Sequence, residues 1–482
     1  MPATATHPDL LEKIAVAVGA GAIEADPAAM APWLTDWRGR YTGRALAIVS
    51  PRDAAGVQAV VRIAGAAGIA IVPQGGNTSM VAGATPPVDR PAILLSLRRM
   101  TRIRALSPED GIAVAEGGVI LADLHAAAEG IGRRFPLSLA AKGSATIGGL
   151  IATNAGGTQV LRFGTMRSLV LGIEAVLADG SLFEGLSALR KDNRGYDLRQ
   201  LLAGSEGTLG IVTAASLRLV PAAARRAVGW VGLGSPQDAL TLLRQLEDAL
   251  GDAIESFEIL PRDALALVLA HIPGTRAPLA EDHPWQVLVE ATAPASGGDI
   301  AEMLTASLAQ AIDSGLARDA TVAASEAQAE ALWKLRESVS EAERVDGAAA
   351  KHDVSVPVSA MPAFLHLARG QVEAAFPGAR VLAFGHLGDG NVHFNVRPPT
   401  GDTGWFAREG GAVSRFVHDL VMAEGGSISA EHGIGQLKLA EFVRTADPVR
   451  LAAMRAIKAA LDPRGLLNPG KLLPLAEIGP AQ

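Results

Sequence analysis

No cysteine occurs in the 482 residues. Disulfide staples, thiolate zinc sites, iron–sulfur clusters, a thiol nucleophile and CxxC redox chemistry are therefore excluded. Electron transfer, if the chain performs it, needs a cofactor held non-covalently or through another residue type. Excess positive charge is missing too: 43 Lys and Arg stand against 50 Asp and Glu, a formal net charge of −7. Such a chain has no basic face to neutralise phosphates, so nucleic acid is not an expected partner. No apolar run approaches the ~18 residues of a membrane span. The opening stretch, MPATATHPDLLEKIAVAVGAG, has no basic start ahead of a long apolar core. It reads as a helix and not a signal peptide, and a cytoplasmic protein is expected. At roughly 150 residues per domain, the length implies two or three domains.

What is present is glycine. The chain has 53 Gly and 28 Pro, above ordinary usage of roughly 7% and 5%. They gather at 73–83, 143–164, 204–210, 385–390 and 425–435. The first third alternates short strands and helices. Ser50-Pro51-Arg52-Asp53 predicts a helix start, with the helix running to about Ala67. Strands are expected at 69–72, 92–97, 112–115 and 170–178, in a mixed α/β domain ending near Pro221. Ser235-Pro236 opens a second section, with a helix stopped by Gly251. Strands at 254–260 and 285–291, helices near 298–315 and 324–344, a strand through Val354, Val356 and Val358, and a strand at 379–385 follow. These predict an antiparallel sheet with helices on one face. After Gly425 come a Gly-rich loop and two closing helices.

Gly75, Gly76, Asn77 and Thr78 follow an apolar strand directly. Without a Cβ, glycines there let backbone N–H groups converge on an anion. Lys142–Gly149, continuing into Ala152–Gly157, and Gly204–Gly210 are two more loops of this kind. One such loop reads as a turn; several, interleaved with Ser, Thr and Asn donors, can wrap a long diphosphate cofactor. No GxGxxG follows a strand, so a Rossmann site is unsupported. Gly465 to Lys471 has the Walker A spacing, but Leu472 stands where the metal-binding hydroxyl belongs. Asn468-Pro469-Gly470-Lys471 therefore reads as a terminal turn.

Four of the ten histidines lie after residue 380. In Gly385–Asn395, Asp389-Gly390 reads as a hairpin turn. Val392, Phe394 and Val396 share one strand face, which turns His393 and Asn395 to the other. His386 can approach that pair across the hairpin to within roughly 5 Å between Cβ atoms. Glu431, in Ser429–Gly435, can supply a third donor. Two His and one Glu with open positions suit a catalytic zinc or manganese ion, with His432 left as a base. Trp333, Arg336 and Ser340 share a helix face at i, i+3 and i+7, and Lys351 lies on a polar strand face with Asp353 and Ser355. Arg binds carboxylates bidentately and Lys acts as a point charge, so two cations point to an acidic substrate. Ion pairs of Arg336 with Glu337 and of Lys351 with Asp353 remain the alternative.

Pro73–Thr78, Lys142–Gly157 and Gly204–Ile211 resemble the FAD-binding loops of flavoproteins of the vanillyl-alcohol-oxidase type. Gly385–Asn395 and Ser427–Gly435 resemble their metal-dependent branch that oxidises D-2-hydroxy acids, and Ser187–Leu198 is also similar to it. The likeness spans about residues 35 to 472 and is nearer to the D-2-hydroxyglutarate dehydrogenases than to D-lactate dehydrogenase or the glycolate oxidase flavin subunit. It implies an α+β chain: a two-lobed FAD-binding domain (1–222), an antiparallel-sheet substrate-binding cap (223–425) and a C-terminal helical segment (426–482) that completes the active site. It places FAD on Gly75, Gly76, Asn77, Thr78, Gly143, Ser144, Thr146, Gly149, Asn154, Gly156, Glu206, Gly207, Ile211 and Asn468. His386, His393 and Glu431 match metal ligands, His432 the catalytic base, and Arg336, Ser340, Lys351 and Asn395 substrate contacts. Ser340 stands where relatives often have Thr, and Ser79 replaces a common Gly. No His in the first loop offers a covalent flavin link, so dissociable FAD is expected. The implied reaction passes the C2 hydride of D-2-hydroxyglutarate to FAD, yielding 2-oxoglutarate. Electrons then leave for an external acceptor such as an electron-transfer flavoprotein. Rival readings are D-lactate or glycolate oxidation and, from another class, a non-catalytic flavin-binding protein. A homodimer is the candidate assembly.

Overall fold

The computed structural model describes residues 7–189 and 191–475; Arg190, within the Ser187–Leu198 motif, lies outside the described residues. The chain forms two units. One holds the residues up to Ala155, Thr165–Pro221 and the residues from His432 onward; the other holds Gly156–Gly164 and Ala222–Glu431.

In the first unit, strands Ile23–Glu24, Ala47–Val49, Ala92–Ser96 and Ala70–Gln74 form a sheet in that order, the last three mutually parallel. The helix that links Ala47–Val49 to Ala70–Gln74 is Ala54–Ala66. It starts later than the Ser-Pro dipeptide predicted: Asp53 is the cap, its Oδ1 accepting from Gly56 N at 2.8 Å. A carboxylate there satisfies one of the unpaired first-turn donors. A five-stranded antiparallel sheet runs in the order Ile103–Ser107, Ile112–Glu116, Ile211–Arg218, Val170–Val176, Leu182–Gly185. Val57, Val60 and Val61 of the helix share one core with Val49, Ile71 and Ile93 of the first sheet and Val176 and Ile211 of the second.

The second unit is built on a seven-stranded antiparallel sheet. Its order is Ala317–Val322, Arg225–Leu233, Trp285–Ala293, Ile254–Pro261, Arg380–His386, Asn391–Arg397, Ala350–Ser355. Helices cover both faces, not one. Leu242, Leu304, Leu365 and Val417 pack with Phe257, Val287 and Phe394 on one side. Leu265, Leu332, Trp333 and Val339 pack with Trp230, Leu288 and Phe384 on the other. The reason is visible in the strands: every residue of Ile254–Pro261 is buried, so neither face is left for solvent. The helix expected over 324–344 is two, Glu326–Glu337 and Val339–Asp346, parted at Ser338. The detached segment Gly156–Gly164 belongs to this unit: Arg162 Nη1 lies 2.7 Å from Oε1 of the fully buried Glu255, and Ser256 Oγ donates to Thr158 O at 2.6 Å.

Candidate functional site

The hairpin Arg380–His386 and Asn391–Arg397 carries the two imidazoles. The turn between them is the four residues Leu387–Gly390 rather than Asp389-Gly390 alone; Asp389 N and Gly390 N both donate to His386 O, at 3.3 and 3.1 Å. Gly390 has φ +81°, a region open to glycine at little cost. His393 pairs with Phe384 and His386 with Asn391, so the two histidines are diagonal neighbours on one face. Their rings are 5.5 Å apart and nearly perpendicular. Phe394, Val392 and Val396 turn into the opposite core. One ligand atom each from His386, His393 and Glu431 lies within 4.8 Å of the others. Two imidazoles and a carboxylate at this spacing fit a small divalent ion.

The surroundings fit an ion too. Glu258 Oε1 lies 2.6 Å from His386 Nδ1, which turns Nε2 toward the ligand cluster. Asp353 is 3.8 Å from His393 Nδ1; it also accepts from Glu431 N at 3.0 Å and from Asn391 Nδ2 at 2.9 Å. Glu258, Asp353, Asp389 and Glu431 thus concentrate negative charge. Burial pushes the Glu431 carboxyl up to about 7; His386 opposes that rise, and Asp353, Asp389 and Glu258 add to it. Burial disfavours the His386 imidazolium, but Glu258 outweighs it and holds the ring at about 9. A divalent cation would relieve this excess of carboxylates.

The predicted cations lie on the same face but have other partners than Glu337 and Asp353. Arg336 donates through Nε to Glu258 Oε2 at 2.9 Å and lies over Phe384, 5.0 Å from the ring centre. Its Nη2 is 2.8 Å from the same oxygen but makes no well-aligned hydrogen bond. Lys351 Nζ lies 2.7 Å from Oε2 of the fully buried Glu343. That oxygen also accepts from Asn395 Nδ2 at 2.9 Å. Lys351 and Asn395 are register partners, so the sheet itself brings them together. Ser340, beyond the break at Ser338, is exposed.

The glycine loops of the first unit close on one another. A Cβ on Gly75 would lie 2.0 Å from Thr146 Oγ1, and one on Gly76 would lie 1.8 Å from Ser144 O. Gly207, at φ +71°, passes Pro73 in the same way, with 2.5 Å to its Cγ. Ser79 Oγ accepts from Gly83 N at 2.9 Å, so the hydroxyl in place of a glycine tightens the first loop. Asn77 donates to Thr35 O at 2.9 Å. Asn154 caps a helix in the left-handed region and accepts from Thr165 Oγ1 and Arg167 N, both at 2.9 Å. Asn468 Nδ2 donates to Gly83 O and Glu206 O at 2.9 and 2.7 Å. Glu206, itself at φ +52°, accepts from Ile434 N and Gly435 N, each at 2.7 Å. His432, at the start of that last stretch, follows Glu431 directly in the chain. Ile211 is buried in the core. A Cβ on Gly143 would meet open space. Gly156 belongs to the second unit, where a Cβ would lie 3.2 Å from Glu431 Oε1. Thr146 Oγ1, Asn468 Oδ1, Gln74 Oε1 and Thr85 Oγ1 are buried without a hydrogen-bond partner. Buried polar atoms are rarely left so, and their concentration around these loops fits a polar cofactor.

Four residues at the cluster escaped the sequence reading as functional: Glu258, Asp353, Asn391 and Glu343. Acidic residues within a strand reading IESFEILP were the available signal for Glu258. Glu343, in a helix reading VSEAERVD, carried none.

Comparison with known proteins adds the following. Residues 222–472 match the family of FAD linked oxidases, C-terminal domain, and residues 45–185 match an FAD binding domain. The chain is 39% identical over 455 residues to the mitochondrial D-2-hydroxyglutarate dehydrogenase of Bos taurus, covering 94% of this chain and 81% of that one. It is 39% identical over 468 residues to the D-2-hydroxyglutarate dehydrogenase of Xanthomonas citri pv. viticola, covering 97% of each. Among solved structures, alkyldihydroxyacetonephosphate synthase aligns with a TM-score of 0.71 at 16% identity over 97% of this chain and 86% of that one. p-Cresol methylhydroxylase aligns at 0.73 and 16%, over 98% and 97%. At such identities the structural likeness concerns the fold alone.

Proposed function

The chain belongs to the FAD-linked D-2-hydroxyacid dehydrogenases of the vanillyl-alcohol-oxidase flavoprotein type, and from that premise we propose that it oxidises D-2-hydroxyglutarate to 2-oxoglutarate with the help of a divalent ion, zinc or manganese. The observation that carries the metal is the convergence of His386, His393 and Glu431 in a buried setting that also holds Glu258, Asp353 and Asp389. The named relatives support the substrate. FAD would supply the two-electron acceptor, and the ion a Lewis acid that lowers the pKa of a substrate hydroxyl.

The chain's own residues do the rest. An imidazole takes the hydroxyl proton, and His432, next to Glu431 in the chain, is the candidate. Arg336 offers the guanidinium N–H groups that Glu258 leaves unused to the carboxylate beside C2. Lys351 and Asn395, held together through Glu343, meet the distal carboxylate. Clamping both ends fixes which face of C2 is presented for hydride loss. Gly75–Thr78, Gly143–Gly149 and Glu206–Asn468 contacts would cradle the dissociable cofactor. The reduced enzyme would pass electrons to an external acceptor, with an electron-transfer flavoprotein as the proposed partner. No helix among the described residues is long and apolar enough to cross a membrane.

Anaerobic mixing with D- and L-2-hydroxy acids, with and without a chelator, tests this reading. Bleaching of the flavin by D-2-hydroxyglutarate ahead of D-lactate, abolished by chelation and restored by zinc or manganese, is expected. Equal bleaching in the presence of chelator would remove the metal from the reaction.

A further inference from the structure

Glu258 is used by nothing described so far except as a neighbour. It is fully buried and sits in register opposite His386 on the adjoining strand. Its two oxygens have different partners: Oε1 meets His386 Nδ1 at 2.6 Å, and Oε2 meets Arg336 Nε at 2.9 Å. We propose that Glu258 is a positioning residue that sets the metal ligand and the substrate-carboxylate clamp together, through one carboxylate. The inference rests on the metal and Arg336 roles proposed above.

The chemistry follows from what each oxygen does. A hydrogen bond from His386 Nδ1–H to a carboxylate fixes the tautomer with Nε2 unprotonated, the form that binds a metal, and makes the ring a better donor. Holding Arg336 by Nε fixes the plane of its fork, which Phe384 supports from one side. A carboxylate buried this deeply is costly unless it is paired, and here both oxygens are paired. Packing alone would favour an apolar side chain at this strand position, since its register partner Leu288, and Leu260 and Phe384, are buried in the core on that face.

Glutamine has the same shape but cannot replace both interactions. Its one oxygen can accept from His386 or from Arg336. Its NH2 then faces the other: either it donates to Nδ1 and moves the imidazole proton to the nitrogen the metal needs, or it opposes a guanidinium donor.

The test is Glu258→Gln in the full-length, FAD-loaded protein. Zinc or manganese alone is titrated against a chromogenic chelator, and KM is measured for D-2-hydroxyglutarate and D-lactate at saturating ion. Expected is a weakening of ion affinity by about 10–100-fold, a rise in KM for both acids of about tenfold or more, or both effects, with flavin content unchanged. A rise for both acids separates this role from that of Lys351, which acts on the dicarboxylate alone. Wild-type ion affinity together with wild-type KM for both acids overturns the proposal. Uptake of no ion by the wild-type protein overturns the metal reading, and the Glu258 role falls with it. If Glu258→Gln does not fold, Glu258→Asp carries the same two measurements, because its shorter side chain cannot reach both partners.

Discussion

The glycine loops of the first unit and the histidine cluster of the second are assembled by opposite means. In the loops glycine backbone passes close to backbone and side-chain atoms alike: Gly76 against Ser144 O, Gly75 against Thr146 Oγ1 and Gly435 against Val81 O, where a Cβ would lie at 1.8, 2.0 and 2.2 Å. Asn77, Asn154 and Glu206 all adopt positive φ, and their side chains tie the loops to Thr35, to Thr165 and Arg167, and to Ile434 and Gly435. At the cluster the two histidines stand on paired strands, and long side chains from that sheet, from the loop at Glu431 and from the helices of Arg336 and Glu343 do the converging. A cradle of the first kind tolerates almost no added volume. A cluster of the second kind tolerates volume but not a changed charge or proton.

That contrast can be broken by mutation. The largest effect is expected for His432→Ala, which should slow anaerobic flavin reduction by about 10²–10⁴-fold, the range for loss of a general base, with flavin content intact. Stopped-flow absorbance decides it, and an unchanged rate would take the base role from His432. Next is Gly76→Ala. The neighbouring atom is a backbone carbonyl that cannot swing aside, so overpacking should cost about 1–3 kcal/mol and release flavin. Thermal unfolding and bound-flavin absorbance read this, and full flavin occupancy would show that the loops are not the cradle. Lys351→Gln keeps a donor for Glu343 but removes the charge. Losing a charge-assisted bond, worth roughly 1.5–3 kcal/mol, should lower the preference for D-2-hydroxyglutarate over D-lactate by about tenfold or more in kcat/KM. An unmoved ratio would remove Lys351 from substrate selection. The smallest effect is expected at Ser340→Ala. The side chain is exposed beyond the helix break, so activity should change by less than about threefold, the scale of ordinary surface substitutions.

How much of this was readable in advance depended on the distance over which each interaction acts. The shared face of the hairpin histidines was legible because alternation along one strand and a nearby glycine turn fix which side chains lie together. The loops were legible because glycine, Ser, Thr and Asn clusters are local signals. Glu258 was not: its partners His386 and Arg336 lie 128 and 78 positions away, and no local period encodes such a meeting. Lys351 was assigned to a polar strand face, but its partner Glu343 is on a helix that looks solvated in sequence. Coverage of both sheet faces was hidden for a related reason. Strands buried on both sides lose the alternation that would reveal which face is covered. The break at Ser338 has no glycine or proline to announce it.

The nine residues Gly156–Gly164 give the second unit a non-contiguous ancestry in the chain. A recombinant fragment begun at Ala222 and stopped at Glu431 would look complete by its strands, yet would strip Glu255 of the Arg162 guanidinium. Removing one partner of a buried ion pair costs about 3–5 kcal/mol, enough to leave many excised domains unfolded. Any minimal version of this unit for spectroscopy or crystallisation would have to splice that short segment back in.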